Sequence, residues 1–175
     1  TPNELTVELN TNSLTDIPTV NGVDAFPDTK GVQFGVTGSY YAGITYDPTR
    51  KYIIAGGTTV TADTVVDVFD AKTNELISSS TNGGFLQDML YIPSLDRVYG
   101  IEGAGGASVS IIDPATGAEV SSVPYPALVT FEDMVHCTVS NKLYFIATGL
   151  GGKLYPFDLA TNTFLPSVII GGGLA

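Results

Sequence analysis

The chain has 175 residues, 43% of them hydrophobic, enough for one domain with a real core and against disorder along the whole length. Its formal net charge of −11, from 18 acidic and 7 basic residues, repels phosphate backbones and anionic surfaces, so nucleic acid is not an expected partner. Only 14% of residues are charged, against about a quarter in an average protein, and Ser, Thr and Gly fill the deficit, as is common in secreted and surface β-proteins.

Cys137 is the only cysteine, so no intrachain disulfide can form. No apolar run reaches the roughly 18 residues of a membrane span. No signal peptide is read at the start. The chain opens on Thr1 and is read as a processed chain or a piece of a longer one, with a secreted or cell-surface location expected.

Leu5-Thr6-Val7-Glu8-Leu9 alternates as a half-buried strand should. Residues 10–21 read as loop, and residues 22–28 and 31–36 as two further strands. From residue 39 a clear order begins. Gly43 to Tyr46, Tyr52 to Ala55, Val65 to Phe69 and Leu76 to Ser79 are four short runs bounded by Gly, Pro, Asn or Asp. The order returns as Asp88 to Tyr91, Val98 to Ile101, Val109 to Ile112 and Val120 to Val123. It returns again as Asp133 to His136, Leu143 to Ile146, Leu154 to Phe157 and Phe164 to Ile170. No segment sustains a helical apolar period with caps at both ends.

The period is about 45 residues, the size of a four-stranded propeller blade. Lys51-Tyr52-Ile53, Arg97-Val98-Tyr99 and Lys142-Leu143-Tyr144 read as one column of the repeat. Tyr46, Tyr91 and His136 form a second, and Gly43, Asp88 and Asp133 a third. Asp70, Asp113 and Asp158 form a fourth, each followed three residues on by Thr73, Thr116 and Thr161. The expected fold is all-β, a β-propeller or an open propeller-like array of four-stranded antiparallel blades. Blades are expected over 39–85, 86–131 and 132–175, after an N-terminal arm or degenerate partial blade over 1–38.

The repeated Asp and Thr suit turns, because short polar side chains bond the local backbone there. His136 and Cys137 are adjacent, so on a regular strand they point to opposite faces and form no dyad. Gly149-Leu150-Gly151-Gly152-Lys153 only faintly resembles a phosphate loop, since Ala147 and Leu154 stand where Gly and Ser or Thr are needed. It reads as a hairpin turn. Thr130-Phe131-Glu132-Asp133 matches a helix capping box, but the repeat places it on a strand. Asp88, Glu132 and Asp133, with Gln87, sit where inner strands meet a central channel. They are the weak candidates for a cation site, although Gly43 breaks the ring.

The turns Phe69-Asp70-Ala71-Lys72-Thr73-Asn74, Ile112-Asp113-Pro114-Ala115-Thr116-Gly117 and Phe157-Asp158-Leu159-Ala160-Thr161-Asn162 resemble the turn of YVTN-type propellers. Gly43-Ile44-Thr45-Tyr46-Asp47-Pro48 and Asp88-Met89-Leu90-Tyr91-Ile92-Pro93 are similar to the inner strands of YVTN and NHL propellers. The likeness covers roughly residues 22–173. Such propellers include surface-layer proteins, lactonases, cofactor-bearing dehydrogenases and plain interaction platforms. The chain has no Trp, which fits neither a WD40 repeat nor a fucose lectin.

The expected function is a non-enzymatic extracellular binding or structural module built of propeller blades, completed by self-association or by a larger parent chain. No catalytic residue and no cofactor are assigned. Copies of the same chain are the first expected partner, and a carbohydrate or cell-surface ligand the next. One alternative is part of a propeller enzyme, such as a lactonase-like hydrolase or a cofactor-dependent dehydrogenase. The other is a filament or appendage subunit that uses the strand bearing Leu5, Val7 and Leu9 for assembly. The final glycines, 171–173, stand where a next inner strand would begin, so a closed isolated ring is not expected.

Overall fold

The computed structural model describes residues 19–20, 23–24, 40–58, 64–82, 84–103, 108–126, 129–148 and 152–170. The chain divides into two compact units, Thr1–Phe34 and Gly35–Ala175. In the first, β1 (Thr19–Val20) pairs antiparallel with β2 (Val23–Asp24). The expected strand at Leu5, Val7 and Leu9, and the expected strand over 31–36, lie outside the described residues.

Among its described residues, the second unit holds three antiparallel sheets and no helix. The first sheet is β3 (Tyr40–Asp47), β4 (Tyr52–Thr58), β5 (Thr64–Asp70) and β6 (Leu76–Thr81), in that order. The second is β7 (Leu86–Ile92), β8 (Arg97–Glu102), β9 (Ser108–Ile112) and β10 (Glu119–Pro124). The third is β11 (Thr130–Cys137), β12 (Lys142–Thr148) and β13 (Lys153–Asp158), with an outer strand in two pieces, β14 (Thr163–Phe164) and β15 (Val168–Ile169). These are blades 1, 2 and 3, and β11 begins at Thr130, before the boundary expected at 132.

The single outer strand expected over Phe164 to Ile170 is broken. Both pieces pair with β13, but Pro156 in the middle of β13 has no N–H to give, and Pro166 has none to return. Leu165 N–H instead bonds the Pro156 carbonyl at 2.8 Å across the break.

Each inner strand carries a bulge at the same place. The register slips between Tyr41 and Gly43, between Leu86 and Asp88, and between Phe131 and Asp133. The extra residue bends the strand and sharpens its twist. The ladder also corrects one column of the repeat. Asp47 pairs with Tyr52, Ile92 with Arg97 and Cys137 with Lys142. Lys51 therefore matches Asp96 and Asn141, not Arg97 and Lys142. All three have positive φ, at 64°, 51° and 51°, because each closes a tight four-residue turn.

Blades stack face on face around the inner strands. The face of blade 1 bearing Ile54, Val66 and Val68 receives Leu86, Met89, Tyr91, Val98 and Ile112 of blade 2. The next face of blade 2, with Tyr99, Ile101, Val109 and Ile111, receives Phe131, Met134, Phe145, Tyr155 and Phe157 of blade 3. Each blade thus has a leading face, turned to the blade before it, and a trailing face that takes the blade after it. Inner strands are also tied by single bonds: Tyr91 N–H donates to Thr45 Oγ1 at 3.0 Å.

The turn between the third and fourth strands of blade 2 latches onto blade 1. Ser78 and Ser80 hydroxyls both donate to the Thr116 carbonyl, at 2.8 and 2.9 Å. Gly117 follows with φ 73°, and a Cβ there would lie 2.7 Å from the Val66 carbonyl oxygen. Gly117→Ala is therefore expected to cost on the order of 2 kcal/mol, from backbone strain and overlap together. Chemical denaturation checks this; an unchanged midpoint would show that the turn does not bear on blade 1.

Candidate functional site

The inner strands bring Gln87, Asp88, Glu132 and Asp133 to the seam between blades 2 and 3. Gln87 and Glu132 are the bulged residues, and Gln87 Nε2 donates to Glu132 Oε2 at 3.2 Å. Asp88 Oδ1 accepts the Met89 N–H at 2.8 Å, and Asp133 Oδ1 accepts the Met134 N–H at 2.8 Å. Asp88 Oδ2 also takes the Met134 N–H of the next blade, at 3.3 Å. One Asp88 carboxylate thus joins two inner strands. Gly43 holds this position in blade 1 for a steric reason: a Cβ there would stand 2.7 Å from Met89 Cγ. An Asp at 43 would collide with the side chain that seals blades 1 and 2. Among the described residues, no three His, Cys, Asp or Glu side chains gather so as to hold a metal ion.

Burial first, and then the facing Asp133 carboxylate, push the Asp88 carboxyl above the usual aspartate value of 3.8. The folded chain thus binds the Asp88 proton more tightly than the unfolded chain does. Its ionisation erodes stability as pH climbs from 3.8 through the raised value, and acidification over that window restores it. Asp88→Asn keeps an acceptor and removes the charge. Melting at pH 7 is expected to be no lower than native, with the variant's advantage shrinking toward pH 4. A large loss at pH 7 would mean that the ionised carboxylate holds the seam.

The three repeated aspartates each accept backbone N–H groups within their own turns. Asp70 Oδ1 takes Lys72 and Thr73 N–H, both at 2.8 Å. Asp113 Oδ1 takes Ala115 N–H at 2.7 Å, and Asp158 Oδ1 takes Ala160 N–H at 2.8 Å. The threonines differ from one another. Thr73 and Thr116 accept the N–H two residues on, at 3.4 and 3.3 Å, whereas Thr161 pairs with the Thr163 hydroxyl at 2.7 Å. Asn74, Gly117 and Asn162 close these turns with φ of 61°, 73° and 52°. Asn162 also accepts the Tyr99 hydroxyl of blade 2 at 2.9 Å.

His136 and Cys137 follow one another on β11, paired with Leu143 and Lys142. His136 Nε2 is buried, with no hydrogen-bond partner among the described residues. Ser140, through its hydroxyl and then its backbone N–H, draws the Cys137 thiol below the usual cysteine range.

One polar cluster was not legible in the repeat. Arg50 Nη1 binds Asp47 Oδ2 at 2.7 Å and Asp96 Oδ1 at 2.7 Å, while its Nη2 binds Asp96 Oδ2 at 2.6 Å. The Tyr91 hydroxyl donates to Asp96 Oδ1 at 3.0 Å. The equivalents of Arg50 are Leu95 and Ser140, so no column announces the cluster.

Among the described residues, no further blade stands against the trailing face of blade 3, where Val135 and Ile146 are exposed. That face carries a shallow groove of about 210 Å³ lined by Asp133, Met134, Val135, Tyr144, Ile146 and Leu154. By the strand register, Tyr144 is the counterpart of Tyr99, Ile146 of Ile101 and Leu154 of Val109. Those three counterparts are buried in blade 2.

No family model and no curated protein matches the chain. Solved structures do match. Hydrazine synthase of Kuenenia stuttgartiensis aligns with TM-score 0.63 and 13% identity over 74% of this chain and 37% of its own. BamB from Moraxella catarrhalis aligns with TM-score 0.53 and 12% identity over 77% and 39%. The Cps50 (Swd1) β-propeller domain of Myceliophteria thermophila aligns with TM-score 0.56 and 12% identity over 77% and 43%. The three sheets are β-propeller blades in an open array. At these identities the likeness concerns fold alone. The aligned part spans less than half of each of these longer chains.

Proposed function

We propose that this chain is a non-enzymatic binding or structural module of the YVTN/NHL propeller type, acting outside the cell and completed by further blades from copies of itself. The observation that carries this reading is the exposure of Val135 and Ile146 on the trailing face of blade 3, against which no further blade stands among the described residues. That face repeats columns that are buried wherever another blade follows, and an apolar sheet face left open is an interaction surface. The turns support the YVTN likeness, since Asp70, Asp113 and Asp158 serve backbone N–H groups in all three blades. The Ser-, Thr- and Gly-rich, acidic composition supports a place outside the cell. Sedimentation equilibrium tests the reading: a mass above that of one chain, rising with concentration, is expected. The mass of one chain at every concentration would overturn it.

A further inference from the structure

The trailing face of blade 3 repeats that of blade 2 nearly column for column. The strand register sets Asp133, Ile146, Leu154 and Val168 in one row across β11, β12, β13 and β15. The matching row of blade 2 is Asp88, Ile101, Val109 and Val123. Ile101 and Val109 are wholly buried, whereas Ile146 is 41% and Val168 52% exposed. One row over, Val135 pairs with Tyr144 and is 61% exposed. Apolar side chains aligned across the strands of one sheet make a patch, not scattered surface residues. The groove over them, about 210 Å³, is smaller than the roughly 300–1,000 Å³ of a small-molecule site. A flat apolar face of this kind suits a second sheet laid upon it.

Inside the chain a trailing face is covered by a leading face, but a second copy has no open leading face to bring. Ala55, Val65 and Phe69 of blade 1 are buried, as are Val98 and Ile112 of blade 2 and Leu143 and Phe145 of blade 3. Among the described residues, the blade face whose core columns stand exposed is the trailing face of blade 3, so a second copy brings that same face. The face is also complementary to itself in charge. Lys142 stands at one end, opposite Cys137, and Asp133 at the other, opposite Ile146, with Val135 and Tyr144 between them. Alternate residues of a strand share a face, which puts these side chains together. Asp158 also stands at the Lys142 end, but it serves its own turn, where it accepts Ala160 N–H at 2.8 Å. A second copy turned end for end lays its Lys142 end over the Asp133 end of the first, and the same holds in return. The Val135–Tyr144 pair then lies over its own copy in the middle.

We propose that the trailing face of blade 3 docks on the same face of a second copy of this chain, with Val135, Tyr144 and Ile146 at the contact and a two-fold axis crossing the strands near the Val135–Tyr144 pair. This rests on the binding-module reading and names its surface, partner and symmetry. The contact is isologous, so each copy spends its one exposed face on the other and assembly stops at two. Ion pairs between Lys142 and Asp133 at both ends fix the register of one face on the other.

Sedimentation of the whole chain tests this. The native mass is expected to rise with concentration and to level off at twice the mass of one chain. Val135→Glu combined with Ile146→Glu is expected to stay single at the same concentrations and to melt like the native chain, since both side chains are exposed. Lys142→Glu sets like charges over each other at both ends and is expected to weaken the dimer roughly tenfold or more. Ile44→Glu, at an exposed side chain of β3 away from this face, is expected to leave the dimer unchanged. With Cys137 replaced by Ser, Val135→Cys lies near the axis and is expected to form a disulfide with its own copy on oxidation. Assembly beyond two, a dimer that survives the Val135→Glu, Ile146→Glu pair or ignores Lys142→Glu, a dimer lost in Ile44→Glu, or no cross-link through Val135→Cys overturns this contact and leaves the binding-module reading standing. A native chain that stays single at every concentration overturns both.

Discussion

Phe131→Ala is expected to lower the unfolding free energy by about 3–5 kcal/mol, the usual range for deleting a buried ring. Phe131 is fully buried, on β11 just before the bulge, where the core between blades 2 and 3 converges. Its ring meets Tyr125 edge-on at 4.6 Å, Tyr155 edge-on at 5.1 Å and Phe145 at 5.1 Å, and stacks on Phe164 at 5.6 Å. Edge-on and stacked pairs add roughly 0.5–1.5 kcal/mol each beyond area, though not additively when one ring serves four neighbours. The surrounding rings belong to β12, β13, β14 and the segment after β10, so collapse into the cavity would have to move several strands at once. For a domain of this size, such a loss lowers Tm by roughly 10 °C. Phe131→Leu keeps most of the volume and is expected to cost well under half as much. Urea unfolding of both variants checks this. Equal, small losses would show that the core does not converge on Phe131.

Arg50→Met is expected to cost about 3 kcal/mol, from leaving a buried carboxylate without its cation. Asp47 is completely buried, and Arg50 is its ion-pair partner. Burial alone pushes the Asp47 carboxyl up. Arg50 and the backbone N–H groups of Thr49 and Arg50 outweigh it, so the net direction is down. The second arm adds less to stability, because Asp96 is 47% exposed and solvent screens the pair. Asp96 is nonetheless held at about 2, first by Arg50 and with help from Tyr91. Both carboxyls are more acidic in the folded chain than in the unfolded one. Their contribution is therefore complete above the usual value of 3.8 and is lost as pH falls through the lowered values, about 2 for Asp96. The gap between native and variant should hold constant from pH 5 to 8 and close toward pH 2. Asp47→Asn in the Arg50→Met background is expected to recover part of the loss. A gap that does not change with pH would mean that Arg50 acts through its aliphatic stem.

The two arms also differ in how far sequence could reveal them. Asp47 bonds Thr49 and Arg50 within its own turn, and an Asp opening a Pro-containing turn is a local signal. Asp96 lies 46 residues away in the next blade, and only the stacking of blades brings it to Arg50. The Gly43 gap in the aspartate column has the same kind of cause. Read as a string, it weakens a ring of carboxylates; in the fold, it is the space that Met89 occupies.

Sequence by itself determined the period, the four strands of blades 1 and 2, the first three of blade 3 and the turns that join them. Those features rest on interactions within a few residues: alternating apolar side chains, an Asp carboxylate reaching the N–H two residues on, and Asn or Gly closing a turn at positive φ. Tertiary structure alone decided the one-residue register that sets Lys51 beside Asp96 and Asn141, the bulges at 42, 87 and 132, and the break opposite Pro156. It also decided that Val135 and Ile146 are exposed. Val135 and Ile146 look like core residues in the string, as Leu90 and Ile101 do. The difference lies in whether another blade stands against them, and burial is a property of the neighbour as much as of the residue.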